Sequence, residues 1–223
     1  MKYILILFLL SFTFLNAQIA RIVALKGEVM IQRGTESLPA QLKFPIEEFD
    51  TIKTKNNARA QLVFKDNTMI SVGKNSTFSI QEYIYDVGKK PKASFKFGSG
   101  TFKTITGKIG KINPRGFKLK SKTASMGIRG TIVGLELSDT EEVYLVPEGK
   151  VELKIGTRTI ILSAGQMYVQ ERGKAPRKVE KITRKRKERL ERNSGARDNE
   201  KESGLGEKTQ TKSVNNVEKC NYR

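Results

Sequence analysis

Between positions 19 and 170 the chain reads as a succession of short runs broken by Gly, Asn, Asp and Pro. Within the runs, apolar residues recur at every second position. A period of two places alternate side chains on one face of a strand. Ala60, Leu62 and Phe64 share such a face, as do Val143 with Leu145, then Val151, Leu153 and Ile155, then Ile160 with Leu162. Glu148-Gly149-Lys150 and Ile155-Gly156-Thr157 supply hairpin turns between them. No long helical pattern intervenes. Strands at this spacing predict a single all-β domain, sandwich-like or solenoid-like in its winding. A domain of about 150 residues buries enough surface to stand without disulfides. That matters here, because Cys220 is the only cysteine and no internal disulfide can form.

The middle of the domain is aromatic. Phe95, Phe97 and Phe102, with Tyr83 and Tyr85, are expected to pack across strands. The alternative is an exposed aromatic platform for a sugar or peptide. Residues 107–116, rich in Gly and Lys, read as a flexible loop. From about position 172 the composition changes. Residues 171–192 read as a basic helix with acid-first pairs Glu180/Arg184 and Glu188/Arg192. Over 177–192 the only apolar residues are Val179, Ile182 and Leu190, a stripe too thin to bury, so a solvated helix is expected. Residues 193–223 are polar and expected to be disordered, with Cys220 as a free thiol or an intermolecular partner. Deleting residues 172–223 should therefore leave the domain, placed at 18–170, folded.

The N-terminus carries a different signal. Met1-Lys2, an apolar run over 3–15 and a small residue at Ala17 form the pattern of a signal peptide over 1–17. An uncleaved anchor is the alternative, since Leu15 is large for a residue at the minus-three position of a cleavage site. No later run is long and apolar enough to span a membrane. The mature chain is expected in the periplasm or outside the cell. Its formal charge is +19, which favours an anionic neighbour. The basic segment lacks interleaved aromatics and any nucleic-acid motif, so nucleic acid is not the expected partner. The chain has no histidine, which removes Ser-His-Asp and Cys-His catalysis and the commonest metal ligand. Gly98-Ser99-Gly100 lacks the Lys-Ser/Thr of a phosphate loop. No cofactor is expected and the chain is read as not an enzyme. An enzyme acting on envelope glycans would have to use Asp66 and Glu148, the acids placed in motif-like turns.

The most specific motif is Thr123-Ala124-Ser125-Met126-Gly127-Ile128-Arg129-Gly130-Thr131, followed by a strand and then Glu148-Gly149-Lys150-Val151. Glycines there allow positive φ or close backbone approach, and Arg129 is a permanent cation with five donors. Upstream stand Gly27-Glu28-Val29, Asp50-Thr51-Ile52-Lys53-Thr54 and Lys65-Asp66-Asn67-Thr68. Together these resemble the FecR domain over roughly 22–169, with the most specific part between Asp50 and Val151. Phe49 sits where the family usually has glycine. Asn67 also replaces a glycine, and Asn tolerates the left-handed conformation.

The resemblance implies a solenoid-like winding and a motif set of Asp50, Thr54, Asp66, Gly127, Arg129, Gly130, Thr131, Glu148 and Gly149, structural or ligand-binding, with no catalytic residues. It implies a non-catalytic exported module that binds or scaffolds an envelope protein, an anionic glycan or a lipid surface. The alternative is a component of a cell-surface signalling system that regulates a sigma factor in response to iron. Only Met1-Lys2 precedes the apolar run, so no cytoplasmic arm is expected. Oligomeric state stays open.

Overall fold

The computed structural model describes residues 18–175 and 177–194. The expected signal segment 1–17 and nearly all of the polar tail lie outside the described residues. Among the described residues, sixteen strands, one short helix and one longer helix follow one another. The first nine strands are β1 (Ala20–Lys26), β2 (Val29–Arg33), β3 (Glu36–Pro39), β4 (Pro45–Ile46), β5 (Thr51–Thr54), β6 (Arg59–Phe64), β7 (Met69–Val72), β8 (Thr77–Ile84) and β9 (Lys92–Phe97). Then come β10 (Gly100–Ile105), α1 (Lys108–Ile112), a 3-10 turn (Pro114–Gly116), β11 (Phe117–Lys120), β12 (Ala124–Leu137) and β13 (Glu141–Ile155). The last elements are β14 (Arg158–Ser163), β15 (Gln166–Glu171), β16 (Glu180–Lys181) and α2 (Arg184–Ser194).

All the strands hydrogen-bond into one sheet that folds over on itself. One half runs β3-β2-β5-β8-β9-β11 and reaches the first part of β12. The other runs β4-β1-β6-β7-β10 and reaches the second part of β12. The long hairpin β12–β13 joins the two halves, and β14 and β15 extend them at opposite ends of β13. The expected all-β architecture holds, and the arrangement is sandwich-like, with the chain passing repeatedly from one layer to the other.

Alternation decides which side chains fill the space between the layers. Ala60, Leu62 and Phe64 of β6 are buried as their period predicts. The aromatic middle forms the core and no exposed platform. Phe64 meets Phe95 with ring centroids 4.9 Å apart and Tyr83 at 5.3 Å. Phe97 meets Phe102 edge-on at 4.9 Å, and Phe95 meets Phe117 at 5.7 Å. Such offset and edge-to-face contacts suit the ring quadrupoles.

Two sequence expectations are corrected. Residues 107–116 are not a free loop: α1 and the 3-10 turn occupy them, with Ile109 fully buried. Asp66, distant in sequence, supplies the acceptors for the start of α1: its backbone oxygen accepts from Lys108 N at 2.7 Å and its Oδ2 from Ile109 N at 3.1 Å. A short helix needs such acceptors for its orphan N–H groups.

The basic segment is not a solvated helix either. Helix α2 begins at Arg184 and lies against β10 and β12. Thr183 Oγ1 accepts from Arg186 N at 3.3 Å at its start. Leu190 is 1% exposed and fills a notch that exists because residue 134 is glycine; a Cβ there would collide with Leu190. A Cβ at Gly73 would likewise collide with the backbone oxygen of Asn193. Arg186 Nη1 donates to Glu136 at 2.8 Å, and Arg189 also bonds Glu136. That hydrogen bond to Glu136 holds the Arg189 guanidinium pKa above its ordinary value. Ile182 covers a second small cluster of Val143, Leu145, Met167 and Val169. A thin stripe therefore suffices, because a single leucine of the helix enters the sheet while Arg186 and Arg189 hold Glu136.

Candidate functional site

The motif residues other than Gly127 fall into three places. The first is the turn before β5. Asp50 is completely buried and accepts from Arg33 Nε at 2.8 Å, Arg33 Nη2 at 2.7 Å and Glu47 N at 2.9 Å. Arg33 also donates to Glu47 at 2.6 Å and stacks over Phe44 at 5.8 Å. The bond to Asp50 raises the arginine pKa further. A bidentate Arg–carboxylate pair of this kind fixes both side chains. Thr54, at the other end of β5, donates to Gly73 O at 2.6 Å and accepts from Ser76 N at 2.9 Å. Phe49 adopts φ 69° and is 70% exposed, so the turn keeps the left-handed conformation a glycine would have at that site.

The second place is the turn after β6. Asp66 is also completely buried. Its carboxylate accepts from Thr68 N at 3.1 Å, Thr68 Oγ1 at 2.7 Å, Tyr83 OH at 3.0 Å and Ile109 N. Asn67 takes φ 65°, as its residue type allows. Burial, reinforced by Asp66, pushes the Tyr83 phenol pKa well above its usual value. Both Asp50 and Asp66 have their oxygens occupied by protein donors.

The third place is the β12–β13 crossover. The register runs Ile128↔Val151 and Arg129↔Lys150, then jumps to Ile132↔Glu148 and again to Gly134↔Leu145. The extra residue falls first on β12 and then on β13, which bends both strands from one layer into the other. Gly130 has φ +56° and Gly149 φ +84°, and a Cβ on Gly149 would stand 2.6 Å from Gly130 O. Thr131 is buried, with its N donating to Thr106 Oγ1 at 2.7 Å and its Oγ1 donating to Lys150 O at 3.1 Å. Thr106 Oγ1 in turn donates to Thr131 O at 2.9 Å. Glu148 is exposed. The Arg129 side chain lies outside the described residues; its backbone sits in the ladder opposite Lys150.

Gly127 differs from the other two motif glycines. Its φ is not positive and a Cβ there would meet nothing within 4 Å. It lies on the outer face of the first layer, in the row Lys118↔Gly127↔Glu152↔Ile161 across β11, β12, β13 and β14. A cleft of about 690 Å³ opens over this row. Arg115, Lys118, Lys150 and Lys154 stand around it with Glu152. Of these only Lys154 and Glu152 form an ion pair, at 3.0 Å, among the described residues.

The structure also brings together groups that sequence reasoning missed. Glu142 is buried and accepts from Ser121 Oγ at 2.8 Å, from Thr123 Oγ1 and from Tyr144 OH. Burial, then the bond to Glu142, pushes the Tyr144 phenol pKa far up. Glu142 and Tyr144 alternate with the apolar Val143 and Leu145, and that polar stripe on a buried strand was the only signal. No group of three Asp, Glu or Cys is arranged to hold a metal ion among the described residues.

Residues 50–152 match the family model described as FecR protein. That span coincides with the part of the resemblance read as most specific. Two solved structures of a candidate anti-sigma factor from Parabacteroides distasonis align with a TM-score of 0.48 and 12% identity. Each alignment covers 59% of this chain and 59% of that chain. No curated protein matches.

Proposed function

We propose that this FecR-domain chain works outside the cytoplasm as a non-catalytic component of a cell-surface regulatory system, acting by contact with a protein partner. The match of residues 50–152 to the FecR family carries this reading. It favours the signalling role over a free-standing scaffold. The chemistry of the motif is consistent with it: the acids Asp50 and Asp66 have their oxygens committed to Arg33, to hydroxyls and to backbone N–H groups. The signal pattern over 1–17 supports export to the periplasm or beyond.

The test has two arms. Tagged full-length protein is cross-linked in intact cells and its partner identified. In parallel the gene is deleted and transcripts are profiled with iron replete and iron limited. A reproducible envelope partner and a shifted sigma-factor regulon are expected. A partner with an unchanged transcript profile would remove the regulatory role and return the scaffold reading. Recovery of no partner at all would defeat both.

A further inference from the structure

We infer that the cleft over Gly127 binds an acidic, extended segment of a protein partner; the inference rests on the protein-binding role proposed above and names its site. Three observations carry it. The first is the glycine itself. A glycine inside a strand weakens it, because it has no side chain to pack and the most backbone freedom to lose. Gly130 and Gly149 have backbone reasons to be glycine, whereas Gly127 has neither positive φ nor a neighbour that a Cβ would strike. What the missing side chain provides is a floor: the row Lys118, Gly127, Glu152, Ile161 dips at Gly127 and the cleft of about 690 Å³ stands over the dip. Glycine in a strand interior is suited to the close approach of another backbone.

The second observation is charge. Arg115 and Lys118 form one wall, Lys150 and Lys154 the other, against the single carboxylate of Glu152, which is already paired with Lys154. Arg115, Lys118 and Lys150 have no ion-pair partner among the described residues. The third is spacing. Lys118 and Lys150 belong to strands on either side of β12, so the walls stand two strand spacings apart, about 10 Å. Cations spread along two walls do not converge on one point, as a lone phosphate would require. They suit carboxylates that alternate to either side of an extended backbone lying over Gly127. Ile161, 46% exposed on β14, gives an apolar contact at one end of the row.

The experiment uses the full chain and a fluorescein-labelled peptide of alternating Glu and Val, read by fluorescence anisotropy. A Lys-Val peptide is the charge control, and heparin and inorganic phosphate are competitors. The acidic peptide should bind more weakly as salt rises, and the Lys-Val peptide should not bind. Gly127→Val should melt at or above the wild type, since its Cβ enters open space and glycine weakens a strand, yet lose affinity on the order of tenfold or more, a loss Lys118→Glu/Lys150→Glu should match. No binding of the acidic peptide, or equal binding by both variants, overturns the inference. So does saturable binding of heparin or phosphate that the cleft variants abolish while the peptide stays unbound. In the cross-linking experiment, a partner recovered equally by wild type and Gly127→Val removes the cleft but leaves the protein-binding role. Absence of any partner strikes the role itself, whatever the anisotropy shows.

Discussion

Replacing Leu190 by alanine tests whether the basic C-terminal helix belongs to the fold. Leu190 is 1% exposed and sits in the Gly134 notch. Burying a leucine contributes about 1.5–3 kcal/mol, and truncating one in a well-packed site costs about 2–5 kcal/mol. The lower end applies here, because α2 lies near the end of the described chain and can lift away, which caps the loss at the free energy of docking. A cost of about 2 kcal/mol lowers the melting temperature by roughly 4–8 °C for a chain of this size. Glu136→Gln should cost less, about 0.5–1 kcal/mol, since its partners Arg186 and Arg189 are partly exposed and screened by salt. Thermal unfolding followed by circular dichroism gives the first number. Hydrogen exchange gives the second: amides of α2 should lose protection in Leu190→Ala before those of β10 and β12. If Leu190→Ala melts with the wild type and α2 exchanges no faster, the helix is not docked and the solvated reading stands.

Gly130→Val should destabilise the domain by about 1–3 kcal/mol, because a β-branched residue is strained at φ +56°; an unchanged denaturation midpoint would sink this. Phe49→Gly should be neutral to stabilising by up to about 1 kcal/mol, the relief of a left-handed conformation offsetting the extra freedom glycine gives the unfolded chain; a clear drop in midpoint would show that the exposed ring is held by contacts. Stability should be flat towards alkali until about pH 10, the ordinary phenol range, and then fall. The sign follows from Tyr83 and Tyr144, whose pKa values burial raises, so that above that pH the unfolded chain loses protons the folded one retains. Tyr144→Phe should be less stable at neutral pH but show a shallower alkaline fall in urea midpoints; an equally steep fall would count against the assignment.

The strands were legible because period two is a local property. Ala60, Leu62 and Phe64, or Val151 and Leu153, declare their faces without reference to anything else. The left-handed turn at Asn67 was legible from residue type alone. What stayed hidden depends on partners far along the chain. Helix α1 forms where Lys108 and Ile109 find Asp66, 43 residues away in the case of Ile109. Helix α2 docks through Glu136, 50 residues before Arg186. Composition showed charge and a thin stripe in 177–192. It could not show that residues 73 and 134 had been kept small to receive the helix. The bend at the crossover was half legible: the glycines were visible, the twin register shifts were not.

The same distinction sorts the candidate site. A motif residue that the fold already explains offers little to a ligand. Gly130 and Gly149 are explained by positive φ, Thr131 by its exchange of hydrogen bonds with Thr106, and Thr54 by Gly73 and Ser76. Asp50 and Asp66 are explained by Arg33 and by the start of α1. These residues make the motif specific because together they bend one hairpin and close two turns, and that specificity is a signature of architecture. Gly127 is left over. It lies three positions before the bend, on a strand whose other end carries Gly134 and Glu136. Strand β12 thus uses glycine in three ways: to turn, to receive a helix, and, at Gly127, to leave a sheet face bare beside Arg115, Lys118 and Lys150. The fold requires only the first two.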